Sequence, residues 1–174
     1  MMTDTIYSSI LDLGLIAIGL GADRQIKESL QPIDTGDLRR TVNGVLVSLA
    51  DPAFKKYKLS VSCDDMLPPA FGSIWRGQQL TVSPVSEIAD VVAVGGTSRT
   101  LERDPVAGSI RCVDIDGGTH AFTVAGRVVT LSSAATKPTR IFYRPTLTMM
   151  VSQHSVDHDE AAASVSWSLD LEEI

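Results

Sequence analysis

The chain is poor in the residues that announce chemistry. Its 174 residues include two cysteines, three histidines and 5% aromatics. Cys63 and Cys112 can form at most one bridge, so neither a disulfide framework nor a four-cysteine zinc site is possible; two reduced thiols are the simpler reading. Positive charge is also short, at 15 Lys and Arg against 21 Asp and Glu, a net charge of −6. A duplex nucleic-acid binder needs a cationic stripe that displaces counterions, and an anionic membrane attracts basic segments. Neither partner is expected. No apolar run approaches the eighteen or so residues of a membrane helix. The nearest, Leu13 to Leu20, follows Asp4 and Asp12, has no basic segment before it, and does not read as a signal peptide.

What is present is ordinary soluble-domain composition, 44% hydrophobic and 21% charged. The length suits one domain, or a core carrying a lobe. Val, Ile and Thr number 43, which favours strands. In Ser164 to Leu171 every odd position is apolar and every even one polar, so Val165, Trp167, Leu169 and Leu171 share one face. Lys58 to Cys63 repeats this, with Leu59, Val61 and Cys63 inward. Further strands are expected at Gln25 to Ile33, Thr41 to Leu49 (Val45, Val47 and Leu49 on one face), Gln79 to Val85 and Thr146 to Ser152. Asp34-Thr35-Gly36-Asp37 reads as a turn, and Asp64 to Pro69 as a loop stiffened by two prolines. Ile74-Trp75-Arg76-Gly77-Gln78 reads as a tight turn laying a ring over the sheet edge. Pro84 should end its strand or mark a bulge. Ile6 to Leu20 fits helical and extended spacing alike; three glycines weaken the helix, so extended structure is favoured.

The stretch 95–138 is richer in Gly, Ser, Thr and charge. It carries its own strand pattern: Ser109 to Ile115, the turn Asp116-Gly117-Gly118, Thr119 to Val124, then Arg127 to Leu131. The expected architecture is a single all-β domain over 1–174. Its core would be an antiparallel β-sandwich or barrel, with a β-rich insertion at 95–138; the alternative is that the middle strands join the main sheet.

Catalytic patterns are thin. His154-Ser155-Val156-Asp157-His158-Asp159-Glu160 is the densest group of potential metal ligands. Its polarity between two strands fits a solvated hairpin loop better than a metal site. No serine sits in a Gly-x-Ser-x-Gly elbow, and Gly95-Gly96-Thr97-Ser98 lacks the lysine of a phosphate loop. Paired carboxylates such as Asp64-Asp65 read as turn formers or surface. No enzyme, cofactor or metal is therefore expected. Arg39-Arg40 and Lys55-Lys56 read either as charge that protects strand edges or as contacts to an acidic neighbour. Asp170, Glu172 and Glu173 at the C-terminal end would suit such a neighbour.

Several segments together resemble a known family. They are Ser29-Leu30-Gln31-Pro32-Ile33, Leu38-Arg39-Arg40-Thr41-Val42-Asn43-Gly44, Phe54 to Cys63, Pro68-Pro69-Ala70 and Ile74 to Gln78. Phe142-Tyr143-Arg144-Pro145-Thr146-Leu147-Thr148-Met149-Met150-Val151 and Ser166 to Glu173 follow. In this order they resemble small minor-tail or baseplate proteins of the tail tip of long-tailed bacteriophages, with a likeness to distal tail proteins. The resemblance covers about 25 to 90 and 140 to the end, and leaves out the middle. It implies a β-structured virion protein, assembled in the host cytoplasm into a ring around the tail axis. Its partners would be copies of itself and other tail proteins such as the tube and hub. Candidate interface residues are then Arg39, Arg40, Lys55, Lys56, Trp75, Asp170, Glu172 and Glu173. The competing readings are a receptor- or carbohydrate-binding β-module, for which Trp75 is the residue to test, and a metal-dependent β-barrel enzyme using His154 and His158.

Overall fold

The structure, a computed structural model, describes residues 9–33, 38–49 and 54–174. It is all-β and sandwich-like, with antiparallel sheets and no α-helix among the described residues. The expected turn at Asp34 to Asp37 and the start of the Ile6 to Leu20 segment lie outside those residues.

The main sheet is built from β1 (Lys27–Pro32), β4 (Tyr57–Asp65), β14 (Ser164–Glu173), β13 (Pro145–Asp159) and β5 (Gln79–Val82), in that spatial order. Period-two alternation sends one face inward. Leu59, Val61 and Cys63 of β4 lie against Trp167, Leu169 and Leu171 of β14 and Leu147, Met149 and Val151 of β13. Of the Met149-Met150 pair, Met149 is buried and Met150 half-buried. Phe71 closes the core with a T-shaped contact on Trp167, centroids 5.7 Å apart.

The segment after residue 9 is extended and irregular, as its glycines suggested. Leu11, Leu13 and Ile16 plug the same core, and Asp12 bridges to Ser83 just past β5. Gly14 has φ +64°, and a Cβ there would lie 2.6 Å from the Thr81 carbonyl oxygen. Backbone packs where a side chain would not fit. Pro84 follows β5, as its missing N–H requires.

A second core lies between. β6 (Ile88–Val92), β12 (Thr139–Tyr143) and β9 (Arg111–Asp114) form one three-stranded sheet. β10 (Phe122–Ala125), β11 (Val128–Leu131) and β7 (Ser98–Thr100) form another. Val92, Leu101, Cys112, Val129, Leu131, Ile141 and Tyr143 fill the space among them. This core draws on both flanks of 95–138, since β6 and β12 contribute Val92, Ile141 and Tyr143. Asp116-Gly117-Gly118 does turn the chain, with Asp114 Oδ1 accepting from the Asp116 and Gly118 amides. The Gly118 amide is the main reason that carboxyl sits below its ordinary range. The pairing it starts is one bridge, Val113 to Thr119. β9 then pairs β12 and β10 pairs β11.

Two expectations are corrected. Thr41 to Leu49 is not one strand. β2 (Leu38–Arg40) and β3 (Leu46–Ser48) form a hairpin that turns inside it, with the Thr41 amide donating to the Val45 carbonyl. Nor is His154 to Glu160 a loop: β13 runs through Asp159 and pairs β14 in register from Gln153 to Asp159. The cross-strand ladder keeps this polar segment extended, and the turn falls at 160–163.

Half-buried ions knit lobe to sheet. Between β7 and β8 (Asp104–Pro105), the Arg103 guanidinium grips Glu173 with Nε to Oε1 at 2.6 Å and Nη2 to Oε2 at 3.1 Å. It also donates to the Lys55 carbonyl and lies 5.6 Å from the Tyr57 ring centroid. Arg144, between β12 and β13, donates to the carbonyls of Ile10, Ser83 and Pro84.

Candidate interface

The β2–β3 hairpin belongs to neither core. Its register is Leu38 opposite Ser48, Arg39 opposite Val47 and Arg40 opposite Leu46. Asn43-Gly44 turns the chain, Arg40 Nη1 donates to the Gly44 carbonyl, and Thr41 Oγ1 accepts from the Val45 amide. Both faces are wet. Leu38, Val42, Val45, Leu46, Val47 and Leu49 are all exposed, as is Phe54 nearby. An isolated two-stranded hairpin is marginal in water, and a contiguous apolar surface on a soluble chain marks a contact site. The hairpin also carries Arg39 and Arg40 and no acidic residue, on a chain of net charge −6.

Acidic charge gathers at the far end of the β13–β14 pair. Asp157, Asp159 and Glu160 are exposed there. From Gln153 to Asp159, β13 is paired to β14 on one side, and no strand covers its other edge among the described residues. An uncovered edge offers N–H and C=O groups to an added strand.

The other residues expected at an interface are scattered. Trp75 is 64% exposed, in a turn closed by the Gln78 amide on its carbonyl. Lys55 reaches Glu102 in the lobe, with Nζ 2.9 Å from each carboxylate oxygen, and Lys56 donates to the Ile174 carbonyl. Asp170 accepts from Ser60 Oγ at 2.6 Å. Glu172 lies exposed opposite Lys58 across β14 and β4. Glu173 is withdrawn: its side chain is 8% exposed, held by Arg103 and by the Tyr57 amide. The two basic pairs and the acidic C-terminal end thus do not form one surface. Arg39 and Arg40 sit on the hairpin, whereas Lys55, Lys56 and Glu173 tie the chain to itself.

Chemistry is sparse around these surfaces. Cys63 and Cys112 are free and buried in separate cores. Burial pushes both thiols up, away from the thiolate form that reacts. His154 packs on Phe71, ring centroids 5.4 Å apart. Among the described residues no three His, Cys, Asp or Glu side chains converge as a metal site requires. No described helix is long and apolar enough to cross a membrane. No family model, curated protein or solved structure matches the chain.

Sequence reasoning named Arg39 and Arg40 but missed the hairpin that carries them, because it saw one strand from Thr41 to Leu49. The signal was in view: Asn-Gly between alternating apolar runs is the strongest short-range hairpin mark.

Proposed function

We propose that this chain is a structural virion protein of a bacteriophage tail. It assembles as an oligomeric ring at the tail tip or baseplate, through contacts with its own copies and with other tail proteins. The observation that carries the reading is the β2–β3 hairpin, apolar on both faces and basic on an acidic molecule. Its complement lies on the same chain, in the acidic, uncovered end of β13. A contact between two different patches of identical subunits is heterologous, and such contacts close into rings when the rotation permits. Complementary charge sets the register of that contact and speeds encounter.

The resemblance adds support in a specific way. The segments that carry it, about 25 to 90 and 140 to the end, contain the hairpin and β1, β4, β14, β13 and β5 of the main sheet, leaving out only the two-residue β8 that pairs β13. Most of the lobe core lies in the part it leaves out, with Ile141 and Tyr143 of β12 inside the covered stretch.

Sedimentation velocity and negative-stain microscopy of the full chain test the proposal. A closed oligomer is expected, with Val47→Asp leaving a folded monomer. A monodisperse wild-type monomer that binds no tube or hub protein would overturn the reading.

A further inference from the structure

A pocket of about 470 Å³ opens on the outer face of the main sheet, lined by Lys58, Arg76, Ser152, Gln153, His154 and Asp170. Its size is that of a small-ligand site, and every residue that lines it is polar or charged. Three adjacent strands build it: Lys58 from β4, Asp170 from β14 and Ser152 to His154 from β13. It is centred on an irregularity. Val151 pairs Leu171 and Gln153 pairs Asp170, so Ser152 is the extra residue of a β-bulge. Bulges re-aim side chains and gather beside functional sites. Here three consecutive residues, Ser152, Gln153 and His154, line the same pocket.

Arg76 arrives from a separate loop that is pinned to the bulge. The Gly77 amide donates to the Val151 carbonyl and the Val151 amide to the Gln78 carbonyl, each at 2.8 Å. Gly77 has φ +91°, a conformation that other residues resist.

Charge accounting isolates this pocket. Of the 15 Lys and Arg residues, Lys58 and Arg76 alone have no hydrogen bond, ion pair or ring contact among the described residues. Both line this one pocket. On a chain with an excess of acid, two cations without an ion-pair contact in one concavity, against the single carboxylate of Asp170, make a place for an anion.

Asp170 narrows the choice. Its carboxylate stays in the pocket, held by Ser60 Oγ, and opposes a multiply charged anion. It also accepts hydrogen bonds, as do Gln153 and Ser152. The pocket therefore matches one carboxylate together with hydroxyl donors.

We propose that this pocket binds a carboxylated sugar. Arg76 and Lys58 hold the carboxylate, and Asp170 and Gln153 accept from ring hydroxyls. The site does not depend on ring assembly. Saturation-transfer difference NMR on the full chain, with glucuronate as ligand and glucose and acetate as controls, tests it. Glucuronate should give saturable transfer, with glucose and acetate each bound about tenfold or more weakly, as loss of one charge-assisted contact set predicts. Arg76→Gln and Lys58→Gln should each weaken glucuronate by a similar factor. Both side chains are exposed and unpartnered, so the melting temperature should not move. Absent transfer from glucuronate would overturn the proposal, as would acetate or glucose matching it, or variants that bind as wild type. Variants that lose oligomers in a chain that never bound glucuronate would assign the pocket to a subunit contact and overturn it too.

Discussion

Two stretches of this chain look alike and end up in opposite surroundings. Leu59, Val61 and Cys63 alternate with polar residues in β4 and are 0–2% exposed. Val45, Val47 and Leu49 show the same spacing in and around β3 and are 39–60% exposed. The difference is neighbours. β4 lies between β1 and β14, so every inward side chain meets a second strand and a facing layer. Among the described residues β3 pairs β2 alone, and neither strand contributes to a buried core. Alternation tells which side chains share a face, and burial requires that something else come to cover it. The hairpin has the alternation of a core strand, and its apolar side chains stay exposed.

The sharpest way to break the contrast is to remove the same amount of apolar surface from each side. Leu169→Ala empties a fully buried site in the main sheet and should cost about 2–5 kcal/mol in urea unfolding. Next comes the join between lobe and sheet. Arg103→Ala leaves the Glu173 carboxylate without its main partner at an 8% exposed position, and should cost roughly 1–3 kcal/mol. Monitoring fluorescence of Trp167 in the sheet core against proteolysis of the lobe would show whether the two cores then unfold apart.

A smaller effect is confined to acid. Asp65 is nearly buried and accepts from the Arg24 guanidinium and from the Arg24 and Met66 amides. The Arg24 side-chain bonds, ahead of the other causes, hold its carboxyl below the usual aspartate range. A lowered pKa stabilises the fold above the unfolded value of about 3.9, and that contribution is lost as pH falls through the folded one. Asp65→Asn should therefore flatten the stability profile below about pH 4 while leaving its shape near pH 7 unchanged, as read from melts across pH.

Least of all should come from the hairpin. Val47→Ser should change the stability of the monomer by less than about 0.5 kcal/mol, as an exposed substitution does. Subunit association, read by sedimentation, should weaken all the same. A large loss of monomer stability would mean that the hairpin already has its cover within one chain.

The strands of the main sheet could be read in advance because they obey period two over six to ten residues with turn residues between them. Cys63 inside follows from that rule, and so does one inward residue of the Met149-Met150 pair; the extended early segment followed from its glycines. His154 to Glu160 was misplaced. Polarity there suggested a loop, but a 15-residue β13 is held extended by its ladder to β14, and a ladder needs backbone groups, not apolar side chains. The surroundings of the candidate interface residues were legible only in part. Arg39 and Arg40 stood out as a basic pair, whereas Glu173 looked like free surface until Arg103, seventy positions away, closed on it. The pocket at the bulge was invisible, because it needs a register shift and a loop pinned over it.

Local order along the chain thus dictated the class of structure. Alternation, turn residues and β-branched side chains act between near neighbours, and their effect is written in spacing. Which strand found a partner, which cation stayed unpaired and where two halves of a pocket met were settled by contacts between distant positions. Those depend on how the sheets stack, and no spacing along the chain encodes the distance between Lys58, Arg76 and Ser152.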